Sequence, residues 1–312
     1  MHVFVRALTV RRRLKACFPI LRVMHALPKS TTPRSTEFER AAEVIQQADA
    51  LVVAAGAGIG VDSGLPAFRG EDGFWKAYPA LGRARTRFSE IASPEAFRSV
   101  PLRAWGFYGH RIKLYRDTKP HAGFDLLRRW GESMPRGYFV FTSNVDGQFQ
   151  KAGFDQVKTL ECHGSIHHFQ CLEPCSIETW PANGFEPDVD TDNCRLRNDP
   201  PSCEHCGGPA RANILMFADW GWCEWRAEMQ TVRMEEWLAT VERPAVVEIG
   251  AGSSIPSVRQ FSHRMIHEFD ARLVRINPEE STVPTNHHIA IASGALAGLQ
   301  MISAALDDPT CK

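Results

Sequence analysis

The chain has no net charge, because its 312 residues hold 36 Lys plus Arg and 36 Asp plus Glu. With neither sign in excess there is no field to draw in nucleic acid or an anionic membrane, and neither partner is expected. A clean apolar run of membrane-spanning length is also missing. The best stretch, Ile289 to Leu306, is interrupted by Ser293, Gln300, Ser303 and two glycines, which suits a buried terminal helix better than a span. No secretory hydrophobic segment precedes the cysteines. These number nine, an odd count, so a secreted disulfide scaffold is not expected. A content of 44% hydrophobic and 23% charged residues fits neither global disorder nor a collagenous or coiled-coil repeat. What remains is an ordinary globular chain, long enough for one large domain carrying a smaller insertion, or for two domains.

Acid is missing from one place in particular. Residues 1–36 contain Arg6, Arg11, Arg12, Arg13, Lys15, Arg22, Lys29 and Arg34 and no Asp or Glu, so the remaining chain is acidic by eight charges. An Arg-rich, acid-free leader reads as a targeting segment for an organelle, as a poorly ordered extension, or as the product of a start placed upstream of Met24. A cytoplasmic location is expected, with a mitochondrial one as the alternative if the leader is a transit peptide.

Four cysteines form a pattern. Cys171 and Cys175 are separated by three residues, Cys203 and Cys206 by two, and 27 residues lie between the pairs. Two short knuckles can supply four thiolates to one tetrahedral zinc and so hold together a small, loop-rich module. Gly207 and Gly208 follow Cys206 as a knuckle turn requires. Cys194 lies between the pairs as a possible substitute ligand. Four unrelated structural thiols are the plain alternative.

Apolar spacing predicts a first helix from Thr36 to Gln47 and a buried parallel strand from Ala50 to Ala55. That strand runs into Gly56-Ala57-Gly58-Ile59-Gly60, where a helix should begin. Bare glycines there would let backbone N–H groups approach a pyrophosphate, although the tripeptide alone is a weak signal. Further strands are expected at Gly137 to Thr142, Ala245 to Ile249 and Arg272 to Ile276, followed by Ser143-Asn144, Gly250-Ala251-Gly252 and Asn277-Pro278. The fold class is therefore α/β, a doubly wound Rossmann-like parallel sheet with an inserted small zinc-binding module, ligand at the carboxyl edge.

Several separated motifs, taken in order, resemble the sirtuin family. They are Gly56-Ala57-Gly58-Ile59, Ser63-Gly64-Leu65-Pro66-Ala67-Phe68-Arg69, Asp72-Gly73-Phe74-Trp75, Thr142-Ser143-Asn144-Val145-Asp146, and His163-Gly164-Ser165 eight residues before Cys171. The segment Arg211 to Asp219, Gly250 to Ser254 and Ile276-Asn277 follow in the family's order. The resemblance covers about residues 37–306. It implies a large cofactor-binding part at about 37–165 and 210–306 and a zinc module at about 166–209.

The resemblance also implies an activity: NAD-dependent protein-lysine deacylation, with NAD consumed as cosubstrate, the acyl group passed to its ADP-ribose moiety and nicotinamide released. Asn144 and Asp146 would hold the nicotinamide carboxamide, as an amide and a carboxylate can. His163 would be the base for a ribose hydroxyl, since imidazole titrates near neutrality. Phe68 and Arg69 would close over the cofactor. Further cofactor contacts would come from Gly56, Ala57, Gly58, Ser143, Gly250, Ala251, Gly252, Ser253 and Asn277. An acylated-lysine peptide would add as a strand beside Leu215, Met216 and Phe217. His167, His168, His287 and His288 read as surface or structural residues.

Tyr108 and Arg111 stand three apart in a segment of helical periodicity, on one face. Sirtuins that remove succinyl, malonyl or glutaryl groups carry a Tyr-x-x-Arg of this form, and an Arg fork is suited to a distal carboxylate. A packed ring and a solvated charge are the bland reading of the same pair. The chain departs from the family pattern at Gly60, Ala67, Ser143, Ala212-Asn213 and Ala218-Asp219, and Trp220 to Trp225 has no assigned counterpart. NAD hydrolysis or mono-ADP-ribosyl transfer could use the same residues, and a non-catalytic NAD sensor is the third possibility.

Overall fold

The computed structural model describes residues 36–66 and 70–308. The basic leader up to residue 35, and Phe68 and Arg69 of the expected closing loop, lie outside the described residues.

Helix α1 (Glu37–Gln47) starts at a capping box, Thr36 with Glu39, and buries Ala41, Ala42, Val44 and Ile45. Strand β1 (Ala50–Ala55) is buried along its whole length. The turn after it, where a helix was expected to begin, is a 3-10 helix (Ala57–Ser63). Four short helices follow: α2 (Gly70–Ala77), α3 (Pro79–Arg83), α4 (Phe88–Ile91) and α5 (Pro94–Ser99). Then come the long α6 (Pro101–Asp117) and α7 (Ala122–Ser133). Strand β2 (Tyr138–Thr142), helix α8 (Gln148–Lys151) and strand β3 (Thr159–Glu161) complete the first half.

The second half opens with β4 (Gly164–Cys171), β5 (Trp180–Pro181), the hairpin β6 (Val189–Asp190) and β7 (Arg195–Leu196), and β8 (Ala210–Ile214). It closes with α9 (Trp225–Leu238), β9 (Pro244–Ile249), α10 (Ser257–Phe269), β10 (Arg272–Ile276), β11 (Ile289–Ile291) and α11 (Ala295–Asp307). The apolar stretch Ile289 to Leu306 is thus not one terminal helix. Its first three residues pair with β10, and the polar Ser293 and Gly294 separate them from α11.

Six strands form one parallel sheet in the order β11-β10-β9-β1-β2-β3. The chain winds from β1 towards β3, returns, and winds from β9 towards β11, so the order reverses between β1 and β9. Such a switch point leaves a crevice at the carboxyl ends of the two strands. Helices α1, α7 and α11 share a core with one face of the sheet. Helices α9 and α10 share a second with the other. A third core joins α2–α6 to the separate sheet β5-β4-β8.

The strand ends at the switch point touch through bare backbone. Gly56 and Gly58 donate their N–H groups to the carbonyls of Ile249 and Gly250, each at 3.0 Å. Gly250 has a φ of 63°, and a Cβ on it would lie 2.3 Å from the Ile59 nitrogen. Gly250→Ala therefore carries both a left-handed strain and a backbone clash. We predict a loss of about 2–4 kcal/mol in urea unfolding, against no more than a few tenths for Gly252→Ala, where the nearest atom is the Glu280 carboxylate at 3.6 Å.

Candidate active site

A cavity of about 320 Å³ opens where the carboxyl edge of the six-stranded sheet meets the second sheet. Ala57, Tyr108, Arg111, Ser143, Asn144, Asp146, His163, Leu215, Met216 and Phe217, all predicted from sequence, line it together. The remaining predicted cofactor residues Gly56, Gly58, Gly250, Ala251, Gly252, Ser253 and Asn277 sit in the strand-end loops and are not part of its lining.

Asn144 and Asp146 are placed by the loop after β2. Thr142, last residue of that strand, donates its hydroxyl to the Ala55 carbonyl and accepts the Asn144 N–H, both at 3.0 Å. The Asn144 side chain then donates to the Gly56 carbonyl at 3.2 Å. Asp146 is half-buried, and its carboxylate accepts the Gln148 N–H at 2.9 Å. Burial pushes its pKa up to about 6, opposed by that hydrogen bond and by the charge on Arg111. A carboxyl held at such a cost inside a cavity is a mark of a working site.

His163 stands where the chain passes from one sheet to the other. Cys162 still pairs with β2 through the Thr142 carbonyl, while the His163 carbonyl already accepts from Leu215 beyond β8. Gly164, at φ 78°, makes the turn. The imidazole Nε2 lies 3.0 Å from the Ser257 hydroxyl at the start of α10, and the ring also bonds to the Ser143 backbone. Burial lowers its pKa, against the Ser143 contact that raises it. A ring proton given to the Ser143 carbonyl leaves Nε2 as an unprotonated acceptor, the form a general base requires. His167, read as surface or structural, donates from Nε2 to the Asp146 backbone carbonyl, 3.0 Å away.

Tyr108 and Arg111 are not a packed ring beside a solvated charge: both are buried in α6 and reach the cavity. Arg111 donates through Nε and Nη2 to the Tyr115 hydroxyl at 2.9 and 2.7 Å, and lies 5.2 to 5.8 Å from the ring centres of Phe107, Tyr108 and Tyr115. Burial pushes the Tyr108 phenol up to about 12 and raises Tyr115 as well, both opposed by Arg111. The phenols stay protonated and can donate. Tyr115 was not foreseen, although its place four residues after Arg111 puts it on the same face. Ser257 had no role at the imidazole in the sequence reading.

The stretch after β8 is shaped by a fully buried ion pair. Arg211 donates to the Asp219 carboxylate at 2.9 Å and to the Ile214 carbonyl at 3.1 Å, and Asp219 also accepts the N–H groups of Met216 and Gly221. Leu215 and Phe217 donate to the His163 and Ala92 carbonyls. All three N–H groups from 215 to 217 are therefore used within the chain. A peptide lying along this stretch would find carbonyl acceptors and exposed side chains, not free donors. Trp220, almost fully exposed, and Trp225 lie outside the cavity lining.

At the sheet edge, Asn277 donates to the Ala251 carbonyl at 3.0 Å and accepts the N–H groups of Glu279 and Glu280. Its side chain ties the loops after β9 and β10 together. Arg275 and Glu248, neighbours on β10 and β9, pair in two contacts of 2.6 and 3.1 Å just beneath.

The thiols of Cys171, Cys175, Cys203 and Cys206 lie within 4.8 Å of one another. Two of their separations are 3.7 and 3.6 Å, close to the edge of a tetrahedron with zinc–sulfur bonds of about 2.3 Å. The donor set fits zinc. Cys194 is not in the group; it is buried against α6, with its carbonyl facing Gly106. No described helix is long and apolar enough to cross a membrane.

The Sir2 family model matches residues 56–248, well over half of the sequence. The chain belongs to the Sir2 family. Among curated relatives, this Sir2 chain is 29% identical over 260 residues to the NAD-dependent protein deacylase of Aquifex aeolicus, covering 81% of itself and 93% of that protein. It is 30% identical over 240 residues to the one of Aeropyrum pernix, covering 76% and 84%. A crystal structure of a Sir2 homolog–NAD complex superposes with a TM-score of 0.64 at 21% identity, over 86% of this chain and 93% of that one. That match shows the shared fold.

Two outcomes follow from the site. Mass spectrometry of the native chain should find one zinc, and Cys203→Ser should lose it together with a cooperative part of the thermal transition. A folded chain with much less than one zinc would contradict the assignment. For Asp146, a folded pKa of about 6 against an ordinary 3.8 means that the ionised form costs stability above pH 6 and nothing below about pH 4. Asp146→Asn should thus be more stable at pH 8 by on the order of 3 kcal/mol, with the gain gone at pH 4. A gain in urea unfolding that ignores pH would refute that burial.

Proposed function

We propose that the chain is an NAD-dependent protein-lysine deacylase that favours acyl groups ending in a carboxylate. The observation carrying this reading is that His163, the Asn144 and Asp146 pair, and Arg111 with its two tyrosines face one cavity. The names of the Aquifex and Aeropyrum relatives support the reaction class, and a solved Sir2–p53 peptide–NAD complex, at a TM-score of 0.57, shows a protein of this fold holding a peptide and NAD together.

NAD supplies the bond between nicotinamide and ribose that is broken, and a sugar able to receive the acyl group. The chain supplies the surroundings. Asn144 and Asp146 are set to hold the carboxamide. Neutral Nε2 of His163 is set to take a proton from a ribose hydroxyl, with the Ser257 hydroxyl holding that nitrogen until the sugar arrives. Apolar walls from Phe88, Ala92, Val145, Ile214 and Met216 keep water from the reacting centre. Leu215, Met216 and Phe217 would border the peptide. The division into a cofactor-binding part and a small zinc module at about 166–209 belongs to the same reading.

The acidic preference rests on donors. Arg111 brings a charged fork, and Tyr115, whose oxygen already accepts two bonds from it, has its own proton left to give. With Tyr108 this makes three groups lining the cavity that are suited to an anion. A plain acetyl group carries no charge to engage them.

The test compares acetyl-, malonyl- and succinyl-lysine peptides of one sequence, with NAD, following peptide mass and nicotinamide. Removal of acidic acyl groups should exceed removal of acetyl at least tenfold and should vanish in His163→Ala. Arg111→Met should reverse the preference. Tyr115→Phe should raise KM for the succinyl peptide several-fold and leave kcat nearly unchanged. Nicotinamide release unaffected by omitting peptide would instead make NAD hydrolysis the activity, and an unchanged acetyl preference would refute the acidic-acyl reading alone.

A further inference from the structure

A second cavity, of about 470 Å³, shares no residue with the first. Ala80, Arg83 and Ala84 line it from the end of α3, Arg103 from the first turn of α6, and Asn193 and Arg195 from the β6–β7 hairpin. Three arginines thus line one hollow. Among the described residues, no carboxylate lies within ion-pair distance of any of them. Of the acids near them, Asp188 and Asp190 face Arg197 and Glu95 and Glu173 face Arg98, while Asp192 meets Arg83 through its backbone carbonyl. Arg103 also stands in a helix's first turn, where the macrodipole disfavours a cation.

The arrangement is built. Helix α6 touches the hairpin through Gly106, where a Cβ would lie 2.3 Å from the Cys194 carbonyl oxygen. Cys194 itself has a φ of 50°, a left-handed conformation unfavourable for its side chain. From the other side Arg83 donates to the Asp192 carbonyl at 2.5 Å, and Asn193 is fixed by two bonds to Asp190. A glycine inside a helix and a strained cysteine both cost stability, and together they seat Asn193 and Arg195 opposite Arg103. Gathering like charges at a strained joint is a local conflict of the kind that marks a binding site.

We propose that this cavity binds a small anion carrying two or more phosphoryl groups. Each guanidinium fork matches a phosphate in two bonds, and three forks exceed what a single carboxylate can engage. The volume falls in the range of small-molecule sites, and the two alanines leave room beside the forks.

Calorimetric titration of the full, zinc-bearing chain with inorganic tripolyphosphate tests this, with ADP and hexaglutamate as further arms. Tripolyphosphate should bind with micromolar affinity that weakens steeply as salt is added. The double substitution Arg103→Ala with Arg195→Ala should weaken it at least tenfold without shifting Tm, because both side chains are exposed. ADP losing affinity in parallel would name a nucleotide as the source, and tripolyphosphate alone an inorganic one. Equal affinity in the double variant would put the anion elsewhere and overturn the proposal. So would no binding at millimolar tripolyphosphate, or hexaglutamate binding more tightly, which would point to an acidic protein segment.

Discussion

Everything at the site hangs on the contact between two stretches of side-chain-free backbone. Gly56 and Gly58 press against Gly250 where the winding of the sheet reverses, close enough that no Cβ fits on any of the three. That contact fixes the Gly56 carbonyl, which holds the Asn144 amide, and brings Ala57 to the cavity. It also alters what the glycines are for. Their value was expected to be open N–H groups for a pyrophosphate; at 56 and 58 those groups are spent on β9, and the glycines serve instead to let two strand ends meet.

From there the placement of the cavity's polar groups follows by short steps. The carboxyl end of β2 carries Asn144 and Asp146, and the end of β3 carries His163 at the passage to the second sheet. Helix α6 lays Tyr108, Arg111 and Tyr115 along the opposite wall. Two ionisable groups are moved in opposite senses by the same burial: the Asp146 carboxyl is raised and the His163 imidazole is lowered. Both shifts favour the neutral form, which leaves the His163 ring unprotonated and brings the Asp146 carboxyl close to its midpoint near pH 6.

Much of this was legible in the sequence, and the reason is local. Strands β1, β2, β9 and β10 are apolar runs stopped by glycine or polar residues. The cysteine spacings carry the metal group, and Tyr108 and Arg111 share a helical face through a period of 3.6. Other features were hidden because tertiary contact decides them. Ile289–Ile291 is as apolar as the helix after it, and only pairing with β10 makes it a strand. Ser257 meets His163 across 94 residues, and Arg83, Arg103 and Arg195 come from three distant elements.

The most direct measurement of the account is the identity of the sugar product when the chain turns over NAD with a succinyl-lysine peptide. Mass spectrometry should find nicotinamide, unmodified lysine peptide and an ADP-ribose bearing the succinyl group in equal amounts. Bare ADP-ribose beside a peptide that still carries its succinyl group would contradict it.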